Sequence, residues 1–387
     1  MNAARGSVAA GFEPVREAFQ RVIDASAGGA AFSVYRRGVP LVWLCGGRAD
    51  PGSDCGGRAD PGSGAPWRPD TLVVLFSGTK GIGATVAAML MVHGLLDPDR
   101  PVCEYWPEFG AAGKRGVRVH HVLAHTAGLP YVDPEPADRL DNTANAAALA
   151  AQAPLWPPGE RVAYHALTYG YLVAELARRV TGRSIGTLVR ELLAEPHGLD
   201  LHLGAPPELD GRTARMLAAP DYRISTFLTD PARRATVERI YGPVPLPELA
   251  NSVGFRRAQL AAASAVGTAD SMARLYDLLA AGAVLDPERL RTATRTWSEG
   301  LDAVNDRPVR FGLGYELDDP IGTYGPAEAI RRSGAFGHSG AGGGRHGAWP
   351  EHGLGFSFAT NELRSEDTDT RASSLLDALW HALDGNR

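Results

Sequence analysis

"FSGTKG" occupies residues 76–81, and its reading decides how the rest of the chain is understood. It holds one of only two lysines, Lys80 and Lys114, among 39 basic residues. A chain that writes nearly every positive charge as arginine keeps a lysine here, three residues after a serine. The preceding "DTLVVL" has the apolar run of a strand, and the following "GIGATVAAMLMVHGLL" that of a buried helix. With a helix predicted from about Ser77 to Leu95, Ser77 and Lys80 share a face, one turn apart. Serine is a weak nucleophile until a base takes its proton. Lysine can be that base once desolvation lowers its pKa, whereas arginine stays protonated. A helix N-terminus also supplies unpaired backbone N–H groups for an oxyanion. The abundance of Ala, Arg, Gly and Pro fits GC-rich coding, which by itself accounts for the arginine bias without any function.

The chain has 387 residues, enough for two to three domain-sized units or one composite fold. Hydrophobic residues make up 44% and charged residues 21%, as in soluble globular proteins. A net charge of −5 gives no electrostatic case for nucleic acid or an anionic membrane. The opening "MNAARGSVAAGFEPVREAFQ" lacks the continuous apolar segment of a secretory signal, and no apolar run reaches the about 20 residues of a membrane helix. The expectation is a cytoplasmic protein with neither nucleic acid nor membrane as partner. Three cysteines, Cys45, Cys55 and Cys103, argue against a disulfide framework. Two of them head the near-identical copies "CGGRADPGSD" (45–54) and "CGGRADPGSG" (55–64), which read as a duplicated surface loop.

A first helix is predicted over 14–25, with Val15, Phe19, Val22 and Ile23 on one face. A hairpin follows, turning at 36–39. From 97 to about 250, Pro-rich turns separate helices at 119–124, 169–180 and 185–194. A small-residue helix resumes after 259. The strand-like "VRFGLGYEL", "AFGHSGAGGGRHGAWP" and "GLGFSFATNEL" come next, then a last helix over 369–383. Strands at both ends with helices between predict a discontinuous α/β domain, 1–96 and 259–387, interrupted by a helical insertion, 97–258. The functional cleft is expected between them.

Four stretches in this order, "FSGTKG", "VHHVLAHTAGLP" (119–130), "PPGERVAYHALTYGYLVAELARRVTG" (157–182) and "FGHSGAGG" (336–343), resemble the serine β-lactamase-like hydrolases. That group comprises class C β-lactamases, DD-peptidases and family VIII esterases, and the resemblance spans about residues 29–361. It implies an α+β fold of the β-lactamase/transpeptidase type, with an antiparallel sheet flanked by helices, and neither cofactor nor metal. Carried over by position, it implies Ser77 as the acylated nucleophile, Lys80 as general base and Tyr164 as the proton relay, with the Lys80 cation favouring its phenolate. The Ser77 and Ala341 backbone N–H groups would form the oxyanion hole. His338, Ser339 and Gly340, with His165, would meet the substrate.

Two departures shape the substrate expected. The usual Tyr-x-Asn is here Tyr164-His165-Ala166, which removes an amide donor, and the usual lysine of the third motif is His338, a titratable imidazole. Both point away from β-lactams and peptidoglycan and toward a small-molecule ester or acyl substrate. An acyltransferase, handing the acyl group to an amine or alcohol acceptor, uses the same residues, and a non-catalytic binding homologue is the reading from another class. "GHSGA" (337–341) is one glycine short of a nucleophile elbow at Ser339, with little chain left after it for the partners. His120, His121 and His125 lack the glutamate of a His-Glu-x-x-His zinc motif. The residues expected to bear substrate surfaces are 131–141 and 225–252.

Overall fold

The computed structural model describes residues 3–50, 64–220, 222–224, 228, 230–242, 246–318, 324–325 and 334–385. Among these, nine strands form one antiparallel sheet: β1 (Arg5–Val8), β2 (Gly29–Arg36), β3 (Val39–Gly47), β4 (Ser298–Leu301), β5 (Pro308–Phe311), β6 (Glu316–Leu317), β7 (Phe336–Gly340), β8 (Gly344–Trp349) and β9 (Leu354–Thr360). Their spatial order is β1-β3-β2-β9-β8-β7-β6-β5-β4. The two ends of the chain meet at the middle of the sheet, where Phe32 pairs with Phe358 and Ser33 with Ser357.

Alternation along β9 explains how helices cover both faces. Leu354, Phe356 and Phe358 join Phe32 and Val34 in a cluster with helix α1 (Glu13–Asp24) and the C-terminal helix α5 (Arg371–Gly385). The intervening Gly355, Ser357 and Ala359 are small, and the opposite face receives helix α4 (Ala269–Ala280) at close range. A Cβ on Gly355 would lie 2.1 Å from the Asp277 backbone nitrogen, so that approach requires glycine. One apolar cluster then runs from this face through α2 (Thr79–Val92) into the helical region, where it includes α3 (Thr168–Thr181).

Most expected elements are found. The helix predicted from Ser77 begins instead as a 3-10 turn, Phe76–Gly78, and continues as α2. The helix predicted over 185–194 is α-helical over Ile185–Val189 and π-helical over Arg190–Ala194. Cys45–Gly47, shared by the predicted hairpin and the first copy of the duplication, complete β3, where Cys45 pairs with Arg5 and with Ala31. Of the rest of the duplication, 51–63 lie outside the described residues. Cys45 and Cys103 are free thiols.

Helix α5 is tied back to the loop after β7. The Arg371 guanidinium, almost wholly buried, donates to the Gly342 carbonyl (2.8 Å), the Glu362 carbonyl (3.0 Å) and the Asp369 carboxylate (2.7 Å).

Candidate active site

The short turn that carries Ser77 is wedged between sheet and helix. Phe76 just before it adopts φ +45°, a left-handed conformation that costs a bulky residue and that the surrounding packing imposes. β7 presses on this turn because residue 340 is glycine. A Cβ there would lie 2.6 Å from the Leu75 carbonyl oxygen. That approach sets Ala341 and Ser77 on the border of one cavity.

Lys80 is fully buried on the first turn of α2. Its Nζ donates to the Ala166 carbonyl at 2.8 Å and the Ala262 carbonyl at 3.0 Å, and lies 3.2 Å from Ser77 Oγ. Burial pulls its pKa down to about 7, with the Glu316 charge pulling weakly the other way. Tyr164 stands beside the pair, its ring centroid 4.7 Å from Lys80 Nζ. Burial, with the Glu316 charge, holds the phenol pKa well above its ordinary value, and the Ser77 side chain only partly opposes this. The structure thus corrects the expected phenolate: Tyr164 is a neutral phenol, because desolvation outweighs a lysine that is itself half neutral.

The third motif lies on β7, paired with β8 so that His338 faces His346 and Ser339 faces Arg345. Ser339 borders the cavity, whereas His338 is fully buried and does not. Burial drives the His338 pKa down to about 4, so the imidazole is neutral at pH 7. His165 also departs from expectation. Its Nε2 accepts from the Leu129 N–H (3.0 Å) and its Nδ1 lies 2.5 Å from the Ala163 carbonyl, which commits both nitrogens to backbone and removes it from the substrate surface. Gly340 serves the site through its lack of a side chain. Ser339 does not form a nucleophile elbow, since β7 turns into another strand rather than a helix.

Two acidic residues escaped sequence reasoning. Glu316 on β6 borders the cavity and accepts from the Ser339 N–H (2.8 Å), the Ser339 hydroxyl (3.0 Å) and the Tyr324 hydroxyl (2.7 Å). Burial disfavours its charge, but His338, Arg307 and these donors prevail and bring the pKa down to about 2. With His338 neutral at pH 7, Arg307 is the cation beside it. Asp302, fully buried, accepts from the backbone N–H groups of Tyr164 (3.3 Å), Val304 (2.8 Å) and Asn305 (3.2 Å), and so fixes the segment that carries Tyr164. Neither stands in a local motif. Pairing of Glu316 with Gly337 across β6 and β7 is what brings the carboxylate to the site.

The cavity encloses about 1010 Å³, counting the part open to solvent. Ser77, Tyr164, Glu316 and Ser339 are among its polar lining, with Arg139, Arg223, Asn305, Arg307 and Glu366, and an apolar part is formed by leucines and phenylalanines. The arrangement presents a hydroxyl, a buried amine, a neutral phenol and a fixed carboxylate around one space.

Comparison with known proteins extends over almost the whole chain. The family model described as Beta-lactamase matches residues 15–379. The chain is 36% identical over 356 residues to "Esterase/beta-lactamase LipL" of Mycobacterium tuberculosis, covering 87% of this chain and 78% of that protein. Among solved structures it is similar to a penicillin-binding protein homologue from Caulobacter crescentus, with a TM-score of 0.86, 34% identity, and 98% and 99% of the two chains covered. It is likewise similar to a family VIII carboxylesterase, with a TM-score of 0.86, 33% identity and the same shares covered.

Proposed function

Since the chain belongs to the beta-lactamase family and has its fold, an antiparallel sheet flanked by helices, we propose that it is a serine carboxylesterase acting through an acyl-Ser77 intermediate. The observation that carries this reading is the set of contacts made by Lys80. A neutral amine has two N–H bonds and one lone pair. With the Ala166 and Ala262 carbonyls holding both N–H bonds, the lone pair is left for the Ser77 hydroxyl proton. A pKa of about 7 populates that neutral form at physiological pH.

Ser77 Oγ passes its proton to Lys80 Nζ and attacks the ester carbonyl carbon. Negative charge develops on the carbonyl oxygen, which we assign to the Ser77 and Ala341 backbone N–H groups. The C–O bond to the alcohol breaks, and the Tyr164 phenol donates a proton to the departing alkoxide and regains one from the Lys80 ammonium beside it. Water then attacks the acyl carbon along the reverse route, releasing the carboxylic acid and restoring the Ser77 hydroxyl.

Within the family, the chemistry here favours esters over β-lactams. Where a fixed cation would grip a β-lactam carboxylate, this site has a neutral His338 and, 3.8 Å from that ring, the Glu316 carboxylate. Ala166 turns only a methyl group toward the cavity, while its carbonyl is held by Lys80. A missing charge-assisted hydrogen bond costs roughly 1.5–3 kcal/mol, or about tenfold to more than a hundredfold in discrimination. The test is intact-protein mass spectrometry with esters and β-lactams, together with kcat/KM for p-nitrophenyl butyrate against nitrocefin. An ester-derived adduct on Ser77, absent in Ser77→Ala, is expected. Nitrocefin turnover matching that of the ester would refute the substrate assignment.

A further inference from the structure

We propose that the cavity carries a dedicated subsite for an extended, uncharged, apolar chain of the ester, longer than a butyl chain. This rests on the esterase reading and names the substrate class of the same site. The subsite is built by Leu140, Leu246, Leu249, Phe255 and Leu260, all of which border the cavity that Ser77 borders.

Three observations support a built surface. Leu246 and Leu249, three apart on the helix Leu246–Asn251, share a face, while Glu248 on the same helix is exposed. Behind the wall, Phe255 and Leu260 belong to the main core, and Leu140, Leu246 and Leu249 pack against that core. The wall is therefore anchored, with its other side on the cavity. Of the cations that border the cavity with Arg223, Arg139 is engaged by the Glu135 carboxylate (2.6 Å) and the Ile240 carbonyl (2.8 Å), and Arg307 by the Glu366 carboxylate (2.9 Å).

Each methylene taken from water into such a wall contributes up to about fourfold in kcat/KM.

The experiment measures kcat/KM below the micellar concentration for two series: p-nitrophenyl acetate, butyrate, hexanoate and octanoate, and acetate esters of butanol, hexanol and octanol. Both are run on the wild type and on Leu249→Asp. In one of the two wild-type series, the value should rise at least tenfold from the four-carbon to the eight-carbon member. Which series rises identifies the acyl or the alcohol side as the occupant. In Leu249→Asp the eight-to-four-carbon ratio should fall at least tenfold. Turnover of the short esters with no rise in either series overturns the subsite and leaves the esterase reading standing. A rise in wild type with an unchanged ratio in folded Leu249→Asp also overturns it. Absence of any ester turnover and of any Ser77 adduct overturns both readings. Should Leu249→Asp fail to fold, the wild-type series alone decide.

Discussion

Burial lowers the Lys80 pKa to about 7 and so fits it for the base role proposed for it. Its pKa of about 7 predicts that kcat/KM rises with pH through that value, because the deprotonated amine is the active form. A pH profile of ester hydrolysis checks this, and a flat profile from pH 5.5 to 8.5 contradicts it. Lys80→Arg keeps a cation but removes the base, and should lose on the order of 10²–10⁴ in rate. Retention of wild-type activity within about threefold would end the assignment. Tyr164→Phe removes a neutral phenol beside Ser77. Steady-state kinetics should show kcat and kcat/KM falling together, and an effect confined to KM would make Tyr164 a binding residue. Ser77, Lys80 and Tyr164 stand in local patterns and were legible in the sequence. Glu316 and Asp302 were not, because each reaches the site through long-range pairing: Glu316 by register across β6 and β7, Asp302 by accepting from the Tyr164 backbone. The sequence also placed His165 at the substrate, since adjacency to a motif tyrosine says nothing of which way the ring turns.

At the level of elements, catalysis depends on how closely β7 approaches the turn that carries Ser77. Gly340→Ala places a carbon 2.6 Å from the Leu75 carbonyl, and backbone on both sides has little room to yield. Overpacking of this kind costs typically 1–3 kcal/mol. The variant should unfold at a lower denaturant midpoint and lose activity out of proportion to its loss of folded protein. Full activity at the wild-type midpoint would show that the approach is slack. Two of the strands that escaped sequence reading have a common position. β1 and β4 are the two edges of the sheet, largely exposed, and the short sequences "RGSV" and "SEGL" carry none of the apolar patterning that marks interior strands. Interior β9 is buried along its whole length and was read correctly. The helices were legible where an apolar face repeats, as in α1, and least so where the ladder shifts to π spacing at Arg190–Ala194.

Over the whole molecule, the buried imidazoles set the response to acid. His165 and His338 have pKa values pushed by burial to about 4, and His346 to about 3, against an ordinary 6.5. Between about pH 6.5 and 4 the unfolded chain takes up protons that the folded chain refuses, so stability is complete above that window and lost as pH falls through it. Lys80 does not contribute there, its own window running from 10.5 down to about 7. Thermal unfolding at several pH values should show Tm falling from pH 6.5 toward 4.5, and a constant Tm would contradict neutral burial. Among the described residues, no helix is long and apolar enough to cross a membrane. The meeting of β2 with β9, and the hold of Arg371 on the loop beside Ala341, carry a consequence for synthesis. A ribosome delivers Ser77 well before the strand that completes the middle of the sheet and the arginine that fastens the loop. The nascent protein therefore holds a nucleophile before its active centre is assembled, and a product truncated before residue 371 is expected to be inactive, which an ester-hydrolysis assay of that product checks.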